Sequence, residues 1–170
     1  MKALIKDRPV RGGTYTNLPI PKIGDDDLLV RVHAAAICGT DIHIYQWNEY
    51  AASKVKLPLL FGHEYAAEVV AVGKNITAFK KGDRVAAETH IPCGHCYQCT
   101  TGLRHICKEA NVYGVTGRIM WDTWWIAQSL LLSGKIDIRP VITHFFELKD
   151  FDTAMQLAES GSAGKIMLKT

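Results

Sequence analysis

Four of the five cysteines in this sequence, Cys93, Cys96, Cys99 and Cys107, fall within fifteen residues. The first three recur at every third position and the fourth follows eight residues later, so one compact loop can turn all four thiols onto a single ion. That spacing suits zinc, which takes four tetrahedral ligands at a sulfur distance of about 2.3 Å and has no redox chemistry of its own. A closed all-cysteine shell leaves no position for substrate, so the expected role is structural. The alternative is a pair of disulfides, but cysteines separated by two residues are poorly placed to cross-link, and nothing marks the chain as secreted. His95 and His105 lie in the same loop and, with four thiols available, are read as solvated.

A second group of reactive side chains stands earlier in the chain. Cys38, Thr40, Asp41 and His43 occupy one six-residue stretch, and His63 and Glu64 follow at the entrance of a strand pattern. Each has a plain reading: Cys38 as a core thiol, Thr40 or Asp41 as a helix cap, His43 as a surface histidine. Neighbours on a strand point to opposite faces, so His63 and Glu64 can reach one ion only if the chain kinks at Gly62.

The elements that must position these groups are legible from periodicity and turn residues. Residues 2–6 and 28–36 read as strands bracketing the Pro19–Asp27 turn cluster, and residues 65–72 as a strand ending at Gly73. Residues 79–87 hold a Gly-Asp turn feeding a short strand. Many short strands with close turn signals suggest a small antiparallel barrel. Met120, Trp124, Ala127 and Leu131, with Trp121, Trp125 and Leu132 beside them, recur at helical spacing until Gly134. This helix is apolar over much of its surface and needs cover, and the tryptophans are expected in the core. Residues 138–147 read as a strand interrupted by Pro140, Asp150 as the cap of a helix ending at Gly161, and residues 166–168 as a closing strand. The fold class is mainly β with helices, α+β.

Composition excludes several classes. Hydrophobic residues make up 48% and charged residues 22% of 170, and mean hydropathy is zero, an ordinary globular balance. A net charge of +3 with scattered Lys and Arg does not imply nucleic acid. No apolar run approaches a membrane span, and the expectation is a cytoplasmic protein with reduced thiols.

Taken together, Ile37–Tyr45, Gly62-His63-Glu64, Gly82–Val85, the cysteine loop, Gly117-Arg118 with Trp121 and Thr123-Trp124, Pro140–His144 and Gly164–Leu168 resemble the zinc-dependent medium-chain dehydrogenases. Thr40-Asp41 with His43-Ile44-Tyr45 is more particular to the threonine-oxidising branch. The resemblance implies a GroES-like barrel with a structural zinc lobe near residues 90–110, the catalytic domain spanning 1–115 and a C-terminal segment, 116–170, completing it. It implies Cys38, His63 and Glu64 as ligands of a catalytic zinc, with Glu64 alternatively a partner that exchanges with water, and Thr40 and His43 as a proton relay. His90 either faces the substrate pocket or is solvated. The implied substrate is a small amino acid or alcohol, oxidised with NAD in the intact family; the implied assembly is a homo-oligomer.

The resemblance also exposes a gap. Where the family carries a Rossmann domain for NAD, Tyr113-Gly114-Val115 runs directly into Thr116-Gly117-Arg118, and no Gly-x-Gly-x-x-Gly follows any strand. Val115 and Thr116 match the place where the family's last Rossmann strand approaches the nicotinamide, or are only a junction. Two further readings therefore stand beside an enzyme: a zinc-stabilised binding module, and a folded remnant that holds zinc and catalyses nothing. A nucleic-acid ribbon fits poorly, since it would carry two separated Cys-x-x-Cys knuckles.

Overall fold

Strand β3 (Leu28–Ala36) is the centre of the larger of two sheets, flanked by β5 (Glu64–Val72) on one side and β8 (Lys165–Lys169) on the other. The structure, a computed structural model, describes residues 1–88, 91–109 and 121–170. These divide into two units, Met1–Ala87 with Val141–Thr170, and Glu88–Pro140.

In the first unit the five-stranded sheet has the order β6-β5-β3-β8-β7, with β6 at Arg84–Ala86 and β7 at Ile142–Glu147. A three-stranded sheet joins β1 (Lys2–Lys6), β2 (Thr14–Asn17) and β4 (Leu59–Leu60) in the order β2-β1-β4. The expected strands at 2–6 and 28–36 form as read. Pairing is antiparallel, as expected, except between β7 and β8, which run parallel. β5 ends just before Gly73, where only glycine fits: a Cβ at this position would lie 2.3 Å from the Asp25 carbonyl oxygen.

Two helices carry the interior. Helix α1 (Gly39–Gln46) buries Asp41, Ile44 and Tyr45; α2 (Glu49–Lys54) follows it; and α5 (Phe151–Glu159) buries Phe151, Ala154 and Met155 at helical spacing. Tyr45, Phe151, Ala154 and Met155 join Leu4, Ile37, Ile166 and Leu168 in one core. The Tyr45 ring meets Phe151 edge-on at 5.8 Å and its hydroxyl donates to Asp152 Oδ1 at 3.0 Å, which fixes α1 to α5. Lys6, 1% exposed, donates from Nζ to the carbonyls of Val10, Gly12 and Tyr45, so its charge is spent on tying β1 to the end of α1.

Local expectations need three corrections here. The cap of α1 is Cys38, not Thr40 or Asp41; Asp41 sits at the third helical position and accepts the Cys38 N–H at 2.9 Å. Asp150 does stand at the N-cap of α5, but a 3-10 turn over Leu148–Asp150 precedes it and its side chain makes no capping bond. Pro140 starts no strand: Arg139–Val141 form a 3-10 turn and β7 begins at Ile142.

The second unit holds a short helix α3 (Tyr97–Thr100), a 3-10 turn at Arg104–Ile106 and helix α4 (Asp122–Leu132). Trp121, Trp124 and Trp125 are 44%, 42% and 67% exposed, which corrects their placement in a core. The helix is apolar nearly all round, and the described residues of its own unit bring no apolar layer over it; the Trp124 ring N–H donates to Glu88 at 2.8 Å. No described helix is long and apolar enough to cross a membrane.

Candidate metal centres

Sheet register brings the first cluster together. Ala36 at the end of β3 lies opposite Glu64 at the start of β5, so the chain leaving β3 at Cys38 arrives beside the chain entering β5. Gly62 has φ +93°, a conformation open to glycine, and the kink places His63 just ahead of the strand instead of within it. One ligand atom from each of Cys38, His63 and Glu64 can therefore lie within 4.8 Å of the others. A thiolate, an imidazole and a carboxylate at this spacing fit a dication with an open fourth position.

What stands behind these three side chains orders them. Asp41 is 3% exposed, and its Oδ1 lies 3.6 Å from His63 Nδ1. The Asp41 carboxylate, opposed by burial, raises His63 to about 9. An Nδ1–H directed at Asp41 leaves Nε2 for a metal, the usual way a carboxylate orients a histidine ligand. Lys165 Nζ donates to Glu64 Oε2 at 2.8 Å and to the Ile37 carbonyl at 3.3 Å, so one carboxylate oxygen is already engaged. Thr40 Oγ1 lies 4.0 Å from Cys38 Sγ. His43 is exposed on α1, three residues beyond Thr40, and its Nδ1 meets Asn48 Nδ2 at 2.7 Å.

In the second unit the four loop cysteines converge, with all four sulfurs within 4.8 Å of one another. Cys93 and Cys99 are 3.9 Å apart, as are Cys96 and Cys107. Four sulfurs at about 2.3 Å from a central ion stand about 3.8 Å apart, so the quartet fits a tetrahedral dication; disulfides need about 2.05 Å. All five cysteines are free thiols. The loop aims backbone donors at sulfur: Cys93 N–H at Cys107 Sγ (3.3 Å) and Cys96 N–H at Cys93 Sγ (3.4 Å). Backbone N–H groups of Lys108 and Cys99 hold the Cys96 thiol down, whereas burial pushes Cys99 up to about 12. A bound dication favours the thiolate that burial disfavours at Cys99. His95 Nδ1 sits 2.9 Å from the Cys93 carbonyl, outside the quartet.

Of the site residues read from sequence, Cys38, His63 and Glu64 meet, Thr40 lies beside them, and the four loop cysteines meet separately. His90, Val115 and Thr116 lie outside the described residues. Sequence reasoning missed Asp41 and Lys165 as partners of His63 and Glu64. Asp41 carried a signal, an acidic residue three places after the cysteine that begins a helix. Lys165 carried none, because sheet pairing alone brings it across 101 residues.

Residues 24–132 match the alcohol dehydrogenase GroES-like domain. Over 115 residues the chain is 53% identical to an L-threonine 3-dehydrogenase of Bacillus licheniformis and 50% identical to one of Caldanaerobacter subterraneus subsp. tengcongensis, covering 68% of this chain and 33% of each relative. Among solved structures, the alcohol dehydrogenase TADH from Thermus sp. ATN1 is 34% identical with a TM-score of 0.54, covering 67% of this chain and 32% of that one. The chain thus spans about a third of the length of the curated relatives it matches.

Proposed function

The chain belongs to the alcohol dehydrogenase GroES-like domain family of zinc-dependent medium-chain dehydrogenases, and on that premise we propose that it carries the metal-binding catalytic half of an L-threonine 3-dehydrogenase. The intact reaction converts L-threonine and NAD to 2-amino-3-oxobutanoate and NADH. The observation that carries this reading is the convergence of Cys38, His63 and Glu64 with a buried carboxylate, Asp41, behind the histidine. Zinc held there supplies a Lewis acid that makes an adjacent alcohol more acidic.

The chain's own residues have definite tasks in this reading. Cys38 and His63 hold the ion, Asp41 keeps the His63 ring turned, and Lys165 sets the position of Glu64. The Thr40 hydroxyl, beside Cys38, takes a hydrogen bond from the substrate hydroxyl and passes a proton toward His43 at the surface. Cys93, Cys96, Cys99 and Cys107 hold a second zinc that stabilises their loop. Val115 and Thr116 are the proposed approach to the nicotinamide. The proposed setting is cytoplasmic, as a homo-oligomer, with the segments 1–115 and 116–170 forming one catalytic domain.

We further propose that this 170-residue chain does not turn over by itself. The absence of a Gly-x-Gly-x-x-Gly run favours this, because phosphate contacts at such a turn supply much of the binding energy for a dinucleotide. Cobalt substitution tests the site without needing turnover. Two cobalt ions should bind, Cys38→Ala should lose one, and L-threonine, but not L-alanine, should shift the absorption of the ion that Cys38 holds. A single ion untouched by Cys38→Ala, or a spectrum indifferent to L-threonine, overturns the reading.

A further inference from the structure

We propose that Asn48 is a positioning residue that sets the tautomer of His43, holding the neutral ring with its proton on Nε2 and its Nδ1 closed. The functional meaning rests on His43 as the outer end of the proton path; the geometry stands without it.

The inference begins with the backbone. Helix α1 ends at Trp47, whose φ and ψ of 55° and 47° are left-handed although it is not glycine. Trp47 N–H donates to the Ile44 carbonyl at 3.2 Å and Asn48 N–H to the His43 carbonyl at 3.4 Å, so the chain folds back onto the last turn of the helix that carries His43. Lys6 Nζ stands 5.5 Å from the Trp47 ring, which holds this bend against β1.

Asn48 then caps α2. Its Oδ1 accepts the N–H of Ala51, a residue with no exposed surface, at 3.2 Å. That bond decides the orientation of the amide, because the flipped form would set NH₂ against a backbone N–H. The group facing His43 Nδ1 at 2.7 Å is therefore the NH₂, which has hydrogens to give and no acceptor capacity. Nδ1 must accept. A proton on Nδ1 would put two hydrogens between atoms 2.7 Å apart. Tyr50, in the first turn of α2, packs its ring 5.5 Å from the imidazole and limits escape by rotation.

The consequence is directional. In this arrangement His43 presents an Nε2–H donor, and Nδ1 is the acceptor that Asn48 holds. Asn48 thus serves two ends at once, the start of α2 and the tautomer of the His43 ring.

Long-range proton–nitrogen spectra of the full chain labelled with ¹⁵N test this, the His43 ring being assigned by its loss in His43→Gln. Expected in the unsubstituted protein is a neutral ring with bare Nδ1 and protonated Nε2. Asn48→Asp keeps a cap oxygen for Ala51 but offers Nδ1 a second acceptor, and should move a proton onto Nδ1. Asn48→Ser keeps the cap but is too short to reach the ring, and should leave a mixture of tautomers. A proton on Nδ1 in the unsubstituted protein, or the same bare Nδ1 in all three chains, overturns the proposal. Activity does not enter this measurement, so failure of the cobalt test and failure of this one are separable.

Discussion

Nδ1 of His63 lies 3.6 Å from Oδ1 of Asp41, and the carboxylate it faces is 3% exposed. The other Asp41 oxygen is occupied by the Cys38 N–H, so one side chain closes the first turn of α1 and faces a histidine that stands just ahead of β5. Asp41→Asn keeps an acceptor for Cys38 but removes the charge behind His63. Metal affinity at the Cys38 site should fall about 10- to 100-fold, with the four-cysteine site unchanged. Chelator competition on the two sites separately measures this; equal affinities in both proteins would remove Asp41 from the site.

The same pair predicts a pH dependence for the metal-depleted chain. His63 is raised from 6.5 to about 9, so the folded state holds this proton more tightly than the unfolded state. The stabilisation is complete below pH 6.5 and is lost as pH rises through about 9. After chelation the melting temperature should therefore decline across this window, and His63→Gln should flatten that part of the decline. A chelated protein whose stability rises between pH 6.5 and 9 would contradict the sign.

The four-cysteine loop should depend on metal for its fold. Apart from Cys99 and Cys107 it buries no side chain among its described residues, and a structural zinc with four thiolates brings an apparent binding free energy of about 10–16 kcal/mol. Cys96→Ser should lose that ion and melt the loop, seen as one zinc fewer by elemental analysis and rapid hydrogen exchange across residues 93–107. Cys38→Ala should instead cost the other ion and leave exchange in the loop slow. Unchanged zinc content and exchange in Cys96→Ser would sink this idea.

How much of this was legible in the sequence follows from how local each signal is. The cysteine quartet is local, and so are β1 and β3, whose alternation gave their bounds. The kink at Gly62 was legible as a requirement, since His63 and Glu64 could share an ion in no other way. Tertiary pairing was not legible: Lys165 reaches Glu64 because β8 inserts beside β3, and no pattern around residue 165 announces it. Asp41 reads as a cap because capping is what an acidic residue near a helix start does, and its second role needs a histidine that the chain brings in just ahead of β5. The sequence places the tryptophans at the start of α4 in a core because apolar periodicity shows that a face needs cover without showing what supplies it.

That uncovered helix leads to the final prediction, which concerns what the chain does in isolation. Hydride transfer requires a nicotinamide held within about 3–3.5 Å of the reacting carbon, and much of the energy for that positioning comes from contacts remote from the chemistry. With no Gly-x-Gly-x-x-Gly run in its 170 residues, the chain should bind NAD too weakly for calorimetry and form no NADH from L-threonine, even with both metals in place. On α4, Trp125, Ile126 and Leu132 are 67%, 60% and 81% exposed, and adjacent apolar side chains seldom stay in water when a second copy can cover them. Native mass measurement should therefore find species above 18.9 kDa, and replacing Trp125 and Leu132 together by Gln should return the monomer. Threonine-dependent NADH formation that Cys38→Ala abolishes would overturn the first half, and a monomer before any substitution would overturn the second.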